Sequence, residues 1–312
     1  MRDDVYGYDQ QLYDRSFLNC YQRQAMVMLA ERVPDLPLVF AGCLVTCDDI
    51  ADQVIRVGRP KYDFQSDLLD PAALARVGIA REYLPFDTYA QARDLIVDTA
   101  RDTGYVILFV DVYYLPHTPE YRTDHVVHTI TLTSYADGQW SILDDNRASV
   151  LCRYTYSEDV IAAAYDNGKL RHVSWFPTGP YDERAALAGS AAGFAEVLRA
   201  HDDTYTLLDG VADLLATPWI APARTIALLY DAFSVYEGSR ACLRAFAARQ
   251  PAFADAEPAL ADLVGRCRDI RNQLMIGKAL GQVDAARVAA ACADLRAAEE
   301  DTLKRLRHQG GL

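Results

Sequence analysis

One cysteine in this sequence stands where a helix is about to begin. Cys20 lies in the string SFLNCYQRQAMVML, and the apolar spacing that follows predicts a helix over 21–32. Ala25, Met28 and Leu29 share its stripe, and Pro34 stops it. Unpaired N–H groups and the helix dipole at such a position favour a thiolate, the form in which cysteine attacks carbonyl carbon. Position is what singles out Cys20, because the chain holds seven cysteines and cysteine outside disulfides behaves mostly as a small buried apolar residue. Cys43 and Cys47, four apart, and Cys242, Cys267 and Cys292, in Ala-rich stretches, read as packing residues. An odd number with no Cys-x-x-Cys pair argues against a disulfide framework or a zinc ribbon.

A nucleophilic thiol needs a base, and the segment DHVVHTITLTSYADGQWSILDD (124–145) supplies one. Strands over 129–135 and 139–143 flank Ala136-Asp137-Gly138, which reads as a hairpin turn. His128 stands immediately before the first strand and Asp144 at the end of the second. In an antiparallel pair the start of one strand lies beside the end of the other, so an imidazole meets a carboxylate. That geometry orients a general base. Asp145 takes the same role if the strand runs one residue further. Cysteine, then histidine, then aspartate, in helix-then-hairpin order, is the papain-like order. His125 and His128, with Asp124 and the hairpin carboxylates, also invite a zinc reading. A strand starting at His128 does not bring both rings to one point, so no metal is assigned. His117, followed by Thr-Pro, reads as a loop residue and a less favoured base.

These residues resemble a known family, that of the N-terminal domain of butirosin biosynthesis protein H and its relatives. The matching pattern is Asn19-Cys20 before a helix, Asp111 to Pro116 (DVYYLP), Tyr121, the His125 and His128 pair, an apolar strand, a turn, and a strand ending in Asp144. It covers about residues 14–150. More distantly the chain is similar to the bacteriocin-processing cysteine peptidases, which share the Cys, His, Asp order. The resemblance implies a papain-like domain that performs acyl transfer. An acyl or aminoacyl group would pass from an acyl carrier protein thioester to Cys20 and then to an amine or hydroxyl acceptor, an aminoglycoside amine in butirosin biosynthesis. Cys20 would be the nucleophile, His128 the base and Asp144 its orienter. Asn19, Tyr113, Tyr114 and His125 would contact substrate. No cofactor is implied beyond the phosphopantetheine that carries the donor. The chain departs from the family at LPLVFAGCLVTCDDI, where glycines are usual. It also has Asp14 where papain-like sites often place a glutamine, six residues before the cysteine. The Cys20 backbone N–H, with Asn19, Gln10 or Gln11, is then expected to serve the oxyanion. The same triad would serve a peptidase, amidase or thioesterase, and the fold could persist in a catalytically idle binding protein.

The elements that must hold these residues read as α+β. Helices are expected over 48–57 and 88–103, and strands over 105–112 and 172–176. At 312 residues the chain has room for two domains of roughly 150 each. The string PTGPYDE (177–183) divides a papain-like domain, 1–180, from an α-helical bundle domain, 181–312. The bundle is expected to hold helices near 183–200, 207–216, 222–249, 258–280 and 284–308. A net charge of −13 argues against nucleic acid as partner. An acidic carrier protein would need a local basic patch, for which Arg23, Arg56, Arg59 and Lys61 are candidates, whereas a cationic amine acceptor suits an acidic surface. The opening MRDDVYGYDQ lacks the features of a secretory signal, and the longest apolar run is too short to span a bilayer. The cytoplasm is therefore the expected address, with natural-product biosynthesis as the setting.

Overall fold

The computed structural model describes residues 4–217 and 220–312. In chain order its regular elements are α1 (Cys20–Ala30), α2 (Cys47–Ile50), α3 (Pro71–Arg76), β1 (Glu82–Pro85), α4 (Tyr89–Thr103), β2 (Val106–Asp111), β3 (Val127–Ala136), β4 (Gln139–Asp145), β5 (Leu151–Ser157), α5 (Glu158–Asp166) and β6 (His172–Trp175). There follow α6 (Glu183–Ala200), α7 (Thr206–Asp209), α8 (Val211–Ala216), α9 (Pro222–Arg249), α10 (Glu257–Leu280) and α11 (Ala285–Gln309). The fold class is α+β. The chain forms two compact units, and it crosses between them more often than a single boundary near residue 180 implies. One unit holds residues 1–14, 20–34 and 78–180, and the other holds 15–19, 35–77 and 181–312.

The first unit is built on a six-stranded antiparallel sheet in the order β1-β6-β2-β3-β4-β5. The hairpin forms as the sequence suggests, with β3 and β4 joined at Asp137-Gly138. Both turn residues adopt positive φ, 50° and 74°, as a tight two-residue turn requires. Asp tolerates that region and Gly enters it without a Cβ clash. β3 begins at Val127, so His128 lies inside the strand, opposite Val110 of β2, rather than just before it. Every residue of β2 is buried, which is why it reads as a continuous apolar run. Val106, Leu108 and Val110 face α4 and α5 together with Ile130, Leu132 and Ile142. The alternate residues serve the other face, where Tyr21 of α1 packs on Phe109 with ring centroids 5.1 Å apart. Helix α1 is buried nearly all round, from Gln22 to Leu29, so a single apolar stripe understates its burial. The strands β1 and β5 and the helix α5 were not anticipated from sequence. The alternation of β5 (LCRYTYS) is half polar, and residues 4–6 pair along its outer side through Tyr6 N to Leu151 O and Arg153 N to Asp4 O.

The second unit is helical. The expected helix over 207–216 is two short helices broken at Gly210, and that over 48–57 is a short α-helical turn continued by a π-helical one. Segment 35–77 belongs here because it docks on α9. Ser239 Oγ donates to Cys43 O at 2.5 Å and Arg240 Nη1 to Val45 O at 3.1 Å. Arg240 is wholly buried and paired with Glu299 of α11, Nε to Oε1 at 2.9 Å. Burial disfavours the guanidinium charge, but the adjacent Glu299 carboxylate more than compensates and holds its pKa above the ordinary value. Arg240→Met strands the Glu299 charge and should cost about 3–5 kcal/mol in urea unfolding, whereas Arg240→Met combined with Glu299→Leu should recover most of that loss. A double variant as unstable as the single one would contradict this account.

Candidate active site

Helix α1 opens on Cys20 itself, so the sulfur stands at the end where backbone N–H groups have no intrahelical partner. Strand β3 carries His128 and β4 carries Asp144. Their side chains meet at the sheet end, with His128 Nε2 and Asp144 Oδ1 2.7 Å apart. The Cys20 thiol is within hydrogen-bonding reach of the same imidazole. Because Nε2 is committed to Asp144, the ring nitrogen that meets sulfur is Nδ1. The three residues that the sequence singles out as nucleophile, base and orienter are therefore contiguous, and all three lie in the first unit. Burial by itself pulls the His128 pKa down. The Asp144 charge, then that of Cys20, and the hydrogen bonds to both outweigh it and hold the imidazole well above its usual range. Asp144 is 0% exposed, which disfavours its charge, yet His128 and the donors around it hold the carboxyl well below its usual range. The arrangement favours a thiolate–imidazolium pair.

Neither a protein-family model nor a curated protein matches this chain. The site must therefore be read from its own contacts. Among the described residues no helix is long and apolar enough to cross a membrane.

Asp144 and Asp145 point to opposite sides of β4, as neighbours in a strand do. Asp144 takes the imidazole. Asp145 pairs with Arg23 of α1, Nη1 to Oδ1 at 2.6 Å, and Arg23 Nη2 donates to the Tyr8 hydroxyl at 2.7 Å. Arg23 is fully buried, so it does not contribute to a basic docking surface as the sequence suggested; its charge is consumed inside the fold. Gln24, one helical turn after Cys20 and on the same side of α1, donates to Thr129 O at 2.6 Å and accepts from Thr131 Oγ1 at 3.1 Å. It also reaches Asp144 Oδ1 at 3.4 Å. Sequence reasoning missed Arg23 and Gln24 as parts of the site. The signal was present in the polar run QRQ (22–24), two positions after Cys20 in an otherwise apolar helix. His117, weighed only as a less favoured base, instead places its Nε2 2.8 Å from Asp144 Oδ2. The loop that carries His117 has no periodicity from which its direction could be read.

The other expected site residues form a separate group. His125 Nδ1 meets Asp111 Oδ2 at 2.7 Å, and the His125 ring stacks on Tyr113 with centroids 4.3 Å apart. Tyr114 packs edge-on to Tyr113. His125 is 57% exposed. His125 and His128 thus turn to different carboxylates, which is the divergence that a strand start at this point imposes. Asn19 immediately precedes α1, is partly exposed and belongs to the second unit. Gln10 and Gln11 are exposed in a turn that Asp9 caps through Gln11 N and Leu12 N.

The raised His128 pKa and the depressed Asp144 pKa set a pH window for stability. A group whose folded pKa is raised stabilises fully below its unfolded value, about 6.5 for imidazole, and loses that contribution as pH climbs through the folded value. A depressed carboxyl contributes above about 3.9 and loses it as pH falls through its folded value. The stability gap between the wild type and His128→Gln should therefore be larger near about pH 5.5 than near about pH 9 in chemical denaturation. A gap that stays constant or widens toward alkaline pH would contradict an imidazolium held by Asp144.

Proposed function

We propose that this chain is an acyltransferase that moves an acyl or aminoacyl group from a carrier-protein thioester, through an acyl-enzyme on Cys20, to an amine. The observation that carries the reading is the unbroken contact chain from the Cys20 thiol through His128 to Asp144. A sulfur at the start of a helix packed on an antiparallel sheet, whose hairpin supplies His and then Asp, is the arrangement expected of a papain-like domain. The resemblance to the butirosin protein H family rests on these residues and on the DVYYLP segment.

The chemistry follows from the groups present. The Cys20 thiolate attacks the thioester carbonyl, and the carrier thiol leaves with the proton held at His128 Nδ1. The product is a thioester on Cys20. An incoming neutral amine adds to its carbonyl and gives a proton to His128 Nδ1, and the Cys20 thiolate is expelled as the amide forms. The backbone N–H of Cys20, at the open end of α1, is the donor suited to the developing oxyanion. Asp144 keeps the imidazole in the orientation both steps require. A net charge of −13 suits a cationic acceptor such as an aminoglycoside or polyamine. The donor thioester would ride on the phosphopantetheine of an acyl or peptidyl carrier protein. In this reading the protein works in the cytoplasm, where its cysteines remain thiols, and in natural-product biosynthesis.

Intact-protein mass spectrometry after incubation with a panel of acyl thioesters tests the proposal. The wild type should gain the acyl mass and Cys20→Ala should not, with both folded. Adding an amine should discharge the adduct as an amide. Discharge at the same rate with or without amine, giving free acid, would make the protein a thioesterase. No adduct on a Cys20 that alkylates readily would point to peptide or amide cleavage, and an unreactive Cys20 to a binding protein.

A further inference from the structure

The Asp144 carboxylate is engaged at both oxygens, and the second engagement is outside the triad. Oδ1 accepts from His128 Nε2 and from the Asp145 backbone N–H, both at 2.7 Å. Oδ2 meets His117 Nε2 at 2.8 Å. The His117 side chain is 5% exposed and stacks on Tyr154, with centroids 4.0 Å apart and planes 22° from parallel. Its other nitrogen, Nδ1, meets the Tyr156 hydroxyl at 2.9 Å. An ionised carboxylate offers no proton, so both imidazoles present Nε2–H to it. Burial, and then the Asp144 charge, push the Tyr156 phenol up to about 12, so its hydroxyl keeps its proton and can hold His117 Nδ1. A continuous chain thus runs from Cys20 through His128, Asp144 and His117 to Tyr156. It joins α1, β3, β4, the loop between β2 and β3, and β5.

We propose that His117 is a positioning residue for the nucleophile. By anchoring Oδ2 it fixes the plane of the Asp144 carboxylate, which keeps Oδ1 on the axis of His128 Nε2–H and His128 Nδ1 on the Cys20 sulfur. The terminal torsion of an aspartate is broad and roughly two-fold, so a carboxylate held at one oxygen can turn. A second charge-assisted hydrogen bond removes that freedom. The Tyr154 and Tyr156 rings and the Tyr156 hydroxyl in turn fix the His117 ring. This inference rests on the reading of Cys20 and His128 as nucleophile and base. It does not depend on what the acyl donor is.

The test is the pH dependence of Cys20 alkylation by iodoacetamide on the intact protein, followed by mass. The other six cysteines are buried, so the first alkylation reports Cys20. The wild type should react well below the ordinary thiol range and show a second inflection where His128 loses its proton. In His117→Leu that inflection should fall by about one pH unit, and the plateau rate should drop about tenfold, equivalent to about 1.4 kcal/mol. His117→Gln keeps an N–H for Oδ2 and should stay within about twofold of the wild type. If His117→Leu does not fold, Tyr156→Phe decides: it releases only His117 Nδ1 and should shift the inflection in the same direction by a smaller amount. A folded His117→Leu with the wild-type profile, a His117→Gln as displaced as His117→Leu, or an unshifted Tyr156→Phe would each overturn the proposal. A wild type that alkylates like an ordinary thiol would overturn the Cys20–His128 pair and this inference with it. A wild type with the expected profile that takes no acyl group from any thioester would overturn the transfer reading alone.

Discussion

A negative charge without access to water organises the first unit. Asp144 has no exposed surface, and an isolated carboxylate in such a place is costly. It persists because donors converge on it from separate parts of the chain. His128 arrives on β3, His117 on the loop that precedes that strand, the Asp145 N–H from its own strand, and the Gln24 amide from α1. The pairing of β3 with β4, in which Thr131 opposes Leu143, is therefore more than a matter of apolar contact. A slip of one residue would exchange the faces of Asp144 and Asp145. It would turn the carboxylate that holds the imidazole toward Arg23 and present Asp145 to the histidines one residue out of place.

The same alternation ties the Cys20 thiol to the His128 imidazole. Asp145 reaches through the opposite side of the strand to Arg23, and Gln24 bonds to β3 at both a backbone carbonyl and the Thr131 hydroxyl. Cys20, Arg23 and Gln24 fall within little more than one helical turn. The stretch of helix that presents the sulfur is thus the stretch stapled to the hairpin that presents the imidazole. Rotation of α1 about its axis, which apolar packing alone would tolerate, would break three directional bonds. Close positioning of a thiol against a ring nitrogen needs that kind of support, because a small misplacement of a reacting group carries a large loss in rate.

Local signals explain what could be read in advance. The hairpin was legible because Asp137-Gly138 specifies a turn, and α1 because apolar spacing resumes after Cys20 and stops at Pro34. β2 was legible from its unbroken run of apolar residues. His128 and Asp144 followed from hairpin geometry, since strand partners in a tight hairpin are close in sequence. His117 did not follow, because its direction is set by stacking on Tyr154 and Tyr156 of β5, more than thirty residues onward in the chain. The interleaving of the two units was hidden for a related reason. Segment 35–77 has no strong period of its own and takes its place from contacts with α9, nearly two hundred residues away, as in the bond from Ser239 to Cys43. The division of labour between Asp144 and Asp145 was legible only as an alternative, because the pleat, not the composition, decides which side each one serves.

Two of the buried ionic groups among the described residues invite comparison. Arg240 and Glu299 form a closed pair: both are buried, each charge answers the other, and the guanidinium also donates to Ser239 Oγ and to the Val45 carbonyl. An apolar pair of similar volume could replace such an arrangement without loss of stability, and its effect is to fix how α9, α11 and the segment around Val45 meet. The Asp144 network is buried at its centre but does not close on itself. It ends at a sulfur that is partly exposed and that stands at the open end of a helix. A network built only for packing has no need of an exposed terminus, nor of an imidazole whose pKa is raised against the pull of burial. An ionic chain that runs from a buried carboxylate to an accessible thiol has the form expected where charge must be held ready for a reacting partner, and that asymmetry is the physical ground for reading Cys20 as a nucleophile rather than as one more small residue in a core.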